Sequence, residues 1–266
     1  MRIAALVAAA LLTGLAAVAP AHAQERAPDP IPVEEWSQAR VIAMGQAIFR
    51  RDQAAAVATD ALLAHLNGRQ PPAGLAGWIV VDQGPDLLVR FVRLEADSVR
   101  PAFDIPVRNG RAGAVSPVET GTLSATELAQ FRARTTAASN IGRLRCSRQL
   151  NAVVLDDPDS DEWLVWLLTA TTDANVVPMG GHYRFRISAD GSTVIRRDML
   201  TNSCLSLRKA DADGRQVVAL SMSQIVSSGP VETHVFLSLQ NRMPIFVAAG
   251  DGLFEVNGAA IRDVRR

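Results

Sequence analysis

The chain has 266 residues, of which 48% are hydrophobic and 20% charged, and its 27 basic and 27 acidic side chains balance to a formal charge of zero. A chain this apolar and this neutral can bury enough surface to offset the entropy of ordering it, which excludes disorder. Neutrality also excludes nucleic acid as a partner, because such binding leaves the footprint of a clearly basic domain.

The first 23 residues have the three parts of a secretory signal peptide. Met1-Arg2 is the basic start, Ile3 to Ala19 the apolar run, and Ala21-His22-Ala23, after Pro20, the small-x-small cleavage site. The pattern predicts cleavage after Ala23. The run is shorter than the roughly 20 apolar residues a spanning helix needs. No later segment is apolar enough to span, so no membrane span is expected after cleavage. A lipid anchor is not expected either, because the first cysteine is Cys146. Loss of Arg2 leaves 26 basic against 27 acidic side chains, and nearly all the cations are arginine, with Lys209 the sole lysine. We read that bias as a GC-rich bacterial genome, and signal and bias together as a periplasmic or secreted protein of a Gram-negative cell. In an oxidising compartment the two cysteines, Cys146 and Cys204, predict a disulfide. The absence of Cys-x-x-Cys from the sequence counts against a reactive thiol or a metal site at these positions.

Residues 24–32 carry Pro28, Pro30 and Pro32 and read as an extended linker. From Val33 to Leu66 apolar residues recur at helical spacing without a proline, which predicts one long helix or two abutting ones, ended by Asn67-Gly68 and Pro71-Pro72. Trp78–Val81 and Leu87–Leu94 predict a hairpin through Asp82-Gln83-Gly84-Pro85. Arg100–Val107 reads as a third strand, placed on an edge by Pro101 and Pro106, with Asn109-Gly110 as a turn. Ser124-Ala-Thr-Glu127 is a capping box and opens a helix to about Ala138.

Beyond Cys146 the apolar period changes to two. Strands are expected at Asn151–Leu155, Trp163–Thr171, His182–Ser188, Thr193–Met199, Val217–Ile225, Glu232–Leu239, Ile245–Ala248, Leu253–Val256 and Ala260–Val264. Asp190-Gly191, Asp251-Gly252 and Asn257-Gly258 supply hairpin turns. The fold class is therefore α+β. A helical and hairpin N-terminal region, residues 33–142, precedes a mostly antiparallel, β-rich region, residues 143–266.

Histidine chemistry has three seats in the mature chain. His65 lies near a helix end, where the dipole suits an imidazole. Alternation puts His182 with Arg184 and Arg186 on a solvated strand face, opposite Tyr183, Phe185 and Ile187. The same alternation puts Glu232, His234, Phe236 and Ser238 on one strand face, where Glu232 could orient the ring of His234 as in a catalytic or metal site. Ser238, about 13 Å away along a strand, is too far to be the nucleophile. The acidic run Asp156–Glu162 could hold calcium through its oxygens, but lacks the glycine and the ligand spacing of known loops. No nucleophile elbow, phosphate-binding glycine loop or zinc-protease motif occurs, and no cofactor or metal is expected. Two arginine groups, Arg143, Arg145 and Arg148, and Arg184, Arg186, Arg196 and Arg197, could grip carboxylates or phosphates of a partner or of envelope polymers, or form an ordinary wet sheet face.

The stretches Gly180–Gly191, Ser203-Cys204-Leu205 and Glu232–Leu239 resemble segments of uncharacterised exported proteins of proteobacteria. The hairpin around Asp190-Gly191 is similar to PepSY domains, periplasmic modules associated with protease inhibition. A strand around Trp163 stands where the PepSY helix precedes its hairpin, and no site residue carries over. These features favour a non-enzymatic envelope accessory or inhibitor-like factor that binds another envelope protein through sheet faces or edges, with Trp163 and Trp166 as an aromatic candidate surface. The alternatives are a periplasmic hydrolase or metal-dependent enzyme built on Glu232 and His234, and a carrier of a small apolar ligand held between helix and sheet.

Overall fold

Ser37 accepts a hydrogen bond from the Arg40 N–H and caps helix α1 (Gln38–Leu66), which runs unbroken for 29 residues, about 43 Å. Asn67 ends it in the left-handed conformation, its N–H returning to the carbonyls of Leu63 and Ala64. The helix thus begins later than its apolar spacing predicts. Val33–Ser37 is instead an extended strap, tied at one end by the Val33 N–H to the Val226 carbonyl, 2.9 Å. The computed structural model describes residues 31–96, 98–210 and 213–265. The signal peptide, its cleavage site and linker residues 24–30 lie outside the described residues.

Strands β1 (Leu75–Gln83), β2 (Asp86–Glu95) and β3 (Ser98–Arg108) form an antiparallel meander. Gly84 and Pro85 alone make the first turn, so both strands reach further than their apolar cores imply. The prolines of β3 do not leave its outer side bare, since β4 (Arg111–Ala112) and β5 (Ser116–Pro117) pair there with Val107 and Arg108 and with Phe103 and Asp104. Asn109 and Gly110 both take positive φ, 48° and 71°, as a tight turn of the expected kind requires. Helix α2 (Ala125–Ser139) starts on the complete capping box, with the Glu127 N–H on Ser124 Oγ and the Ser124 N–H on Glu127 Oε2.

The second sheet has β6 (Leu150–Asp156), β7 (Trp163–Thr169), β9 (Tyr183–Ile187) and β10 (Val194–Met199) in the antiparallel order β10-β9-β7-β6. Two short strands absent from the sequence reading, β8 (Val176–Pro178) and β11 (Ser206–Arg208), pair with each other. The disulfide Cys146–Cys204 forms and joins positions 58 residues apart. The third sheet comprises β12 (Leu220–Gln224), β13 (Ile245–Ala249), β14 (Gly252–Asn257) and β15 (Ala260–Asp263). Its β12 and β13 run parallel, while its other pairs are antiparallel.

Parallel neighbours need a crossover, and α3 (Glu232–Asn241) supplies it. This corrects the strand expected over Glu232–Leu239. The segment is buried from Glu232 to Ser238, and a helix enclosed all round carries apolar residues on every side, which mimics alternation. Gly45 allows α1 to cross α3, since a Cβ there would fall 2.5 Å from the Val235 Cβ.

Helix α1 serves two cores. Its first half, with Val41 and Ile48, packs with α3, the inner face of the third sheet and the Leu164, Trp166 and Leu168 face of β7. Its second half, with Ala54, Ala58, Leu62 and Leu66, packs on Val89, Phe91, Phe103 and Ile105 of the first sheet. Helix α2 covers the opposite face of the second sheet, over Val165, Tyr183, Phe185 and Ile187. The second sheet is therefore covered on both faces, and β7 is buried along its whole length.

Candidate functional site

The two-sided cover decides the fate of the arginines of β9. Arg184 is turned away from α2 into the interior, where it is 2% exposed. Its Nη2 donates to Asp198 Oδ2 at 2.7 Å and to the Glu34 carbonyl at 2.6 Å, and its Nη1 reaches both oxygens of Glu232 at 3.2 Å. Glu232, fully buried at the first residue of α3, also accepts from the Trp166 indole at 2.8 Å. The ring of Trp36, on the strap, lies 3.8 Å below the guanidinium carbon and edge-on to Trp166. Arg186 reaches the strap's Glu34 at 3.0 Å and also pairs with Asp157 and Glu162, and Arg196 holds Asp198 at 2.8 Å. Arg197 donates to the Asn140 carbonyl at the end of α2. The β9–β10 arginines are thus engaged within the chain, and Arg184 sits in the interior instead of on the wet face that alternation implies.

Three side chains of the acidic run, Asp157, Asp159 and Glu162, are paired in the same way. The Asp157 side chain is buried between Arg40, at 2.9 Å, and Arg186, at 3.3 Å, and Asp159 pairs with Arg40. No group of three or more histidine, cysteine or acidic side chains suited to a metal occurs among the described residues.

Glu232 and His234 do not form the expected pair. Two residues apart on a helix, their side chains leave α3 in different directions, and each has other partners. His234 Nδ1 accepts from the Val231 N–H at 3.0 Å, which leaves the ring proton on Nε2, a buried atom without a hydrogen-bond partner among the described residues. Burial, with the nearby His182 adding to it, lowers its pKa to about 3. His182 is not solvated either. It is fully buried, with Nδ1 accepting from the Thr169 N–H and Nε2 donating to the Pro178 carbonyl at 2.9 Å, and burial lowers its pKa to about 4. His65, in the last turn of α1, stands edge-on to Phe103 at 6.3 Å. Ser238 lies one full turn beyond His234 on α3, its hydroxyl held by the Met243 and Val256 carbonyls. Trp163 and Trp166 are core residues, 5% and 0% exposed, and offer no aromatic surface.

A cavity of about 170 Å³ lies beside this network, lined by Glu34, Trp36, Arg184, Ser228 and Glu232. The strap forms part of its lining, and Glu35 there accepts from the Ser228 hydroxyl at 2.7 Å. A larger groove of about 600 Å³ opens between α2 and the start of β3, over Val99, Leu123, Leu128 and Phe131, with Arg100 and Arg132 at its sides. None of these groove residues stood out in the sequence. The signal there is faint: Leu128, Phe131 and Thr135 share one face of α2 at helical spacing.

The outer face of the third sheet is the remaining feature. Alternation turns Ser221, Ser223 and Ile225, Phe246 and Ala248, Leu253 and Glu255, and Arg262 away from the inner core, with Arg262 paired to Glu255. Ile225 is 61% exposed and Val264, which bonds to the Leu253 carbonyl, 38%. Comparison with known proteins finds no family model that matches the chain and no curated protein similar to it.

Proposed function

We propose that the protein is exported to the periplasm, loses residues 1–23, and acts there as a non-enzymatic binding factor that docks another envelope protein against the outer face of the β12–β15 sheet. The observation that carries this reading is the group of apolar residues on that face, Ile225, Phe246, Ala248, Leu253 and Val264, set beside Ser221, Ser223 and the Glu255–Arg262 ion pair. The solvated side of a sheet is normally polar, whereas on this one Ile225 is 61% and Val264 38% exposed, with Ala248 and Leu253 on the strands between them. Exposed apolar side chains grouped on one face of a folded domain mark interaction sites. No described helix is long and apolar enough to cross a membrane, and the disulfide is compatible with an oxidising compartment. The engagement of Glu232 by Arg184 and Trp166 supports a structural role for that carboxylate.

The test is in-cell crosslinking of the tagged protein in its native host, followed by affinity capture and mass spectrometry, beside the double variant Ile225→Glu/Leu253→Glu. A stoichiometric envelope partner that the wild type captures and the folded variant does not is the expected result. Capture of the protein alone, or equal capture by the variant, overturns the reading.

A further inference from the structure

We propose that the groove between α2 and the start of β3 binds an amphiphile with a long acyl chain and an anionic head, namely a fatty-acid carboxylate. This extends the binding reading to a small ligand and rests on it only in taking the protein to be a binder. The groove's volume of about 600 Å³ lies in the range of preformed small-molecule pockets. Its floor is Phe131, 6% exposed, which packs on Ile79 and Val92 in a minor core that Val99 and Leu123 cover only in part. Leu128 extends this apolar floor along α2. An alkyl chain laid there would complete a core that the fold leaves half open.

Charge selects the head group. The lining residues include two guanidinium groups and no carboxylate. Arg100 spends one nitrogen on the Gly121 carbonyl, at 3.1 Å, and Arg132 makes no ion pair among the described residues. Nearby Arg90 is different, because Asp104 and Glu127 already neutralise it. Asp190, two positions from the lining Ser192, is held by the Ser188 and Ser192 hydroxyls. The Thr135 and Thr136 hydroxyls, also on the groove, already donate to the Phe131 and Gly191 carbonyls. The Ser98 and Ser192 hydroxyls are likewise engaged, by the Glu95 carbonyl and Asp190, so the charged donors facing the groove are the two arginines, whose forked geometry matches a carboxylate.

The experiment is isothermal titration calorimetry of the mature chain with laurate below its micellar concentration, with dodecyltrimethylammonium as the chain of opposite head charge. Saturable binding of one laurate with a negative heat-capacity change is expected, together with affinity for the cationic chain at least about tenfold weaker. Arg100→Gln/Arg132→Gln should weaken laurate about tenfold or more while leaving the melting temperature in place. Arg132→Gln alone, on an exposed helix position, serves if the double variant does not fold. Leu128→Glu should abolish binding. Absence of laurate binding, equal binding of the cationic chain, or unchanged affinity in the arginine variants overturns the proposal. Partner capture in cells needs no added laurate, and the calorimetry needs no partner, so each reading can fail while the other stands.

Discussion

The first and second sheets treat their charged residues in opposite ways. On the β1–β3 sheet the carboxylates of the ion pairs keep some access to water: Arg90 meets Asp104 at 2.6 Å and Glu127 at 2.6 Å with all three side chains about one-fifth exposed, and the buried Arg51 of α1 pairs with Asp82, which is half exposed at the end of β1. On the second sheet Arg184, Asp198 and Glu232 lie inside, each 5% exposed or less, under two tryptophans and a helix end. Removing charges from water costs several kcal/mol per ion, which close pairing and further hydrogen bonds must offset. Every acceptor around Arg184 is needed for that reason, whereas water stands ready to replace any lost partner of Arg90.

That contrast can be broken by substitution. Glu232→Ala should leave Arg184 and the Trp166 indole short of an acceptor in the interior and cost about 3 to 5 kcal/mol, read as a fall in denaturant midpoint. If the variant melts within a degree of the wild type, the network is not what holds β9 to α3. Reduction of Cys146–Cys204 frees a loop of 58 residues and should remove about 4 kcal/mol in the chain-entropy account. Comparison of melting with and without reductant measures it.

Acid sharpens the contrast, because the buried histidines lie on the second sheet and in α3. Both are held neutral, at about 4 and about 3 against 6.5 in the unfolded chain. Below pH 6.5 the unfolded chain therefore binds more protons than the folded one, and stability falls as the pH drops towards 4. Each histidine should cost about 2 kcal/mol at pH 5. Asp52 works in the other direction. Burial raises it to about 6, opposed by the Asn151 amide, so the folded state takes up its proton first and recovers about 1 kcal/mol between pH 7 and 5. Chemical denaturation across this range should show a net loss of about 2 to 3 kcal/mol, and a flat profile would remove the buried-imidazole account. The smallest effect belongs to the first sheet, where Arg90→Ala should cost about 1 kcal/mol or less, since its partners can turn to water.

The same division explains what could be read in the sequence. The first sheet has a broad aliphatic side toward α1 and only a minor core under α2 on the other, so its strands, the Asn109-Gly110 turn and the Ser124 capping box follow from spacing and local chemistry. Alternation also places Tyr183, Phe185 and Ile187 together. It fails for Arg184 and His182, because polarity signals exposure only where one side of a strand faces water. It fails again at Glu232–Leu239, where Thr, Val and Phe suit a strand and full enclosure hides the helical period. The strap shows the reverse error: Val33–Trp36 could have continued a helix, but Ser37 caps α1 and frees Glu34 and Glu35 for Arg186 and Ser228. The candidate surfaces were less legible still. The groove joins residues near 99, 123, 128 and 192, and no local pattern encodes such a meeting.

Helix α1 has a mechanical meaning as well. One rigid rod closes the aliphatic core with its second half and the core above Trp166 with its first, so neither can open while the rod stays seated in the other. Melting should therefore remove both cores in one cooperative step, with calorimetric and van 't Hoff enthalpies in agreement. A protein whose two ends share a single beam gains or loses its order as a whole.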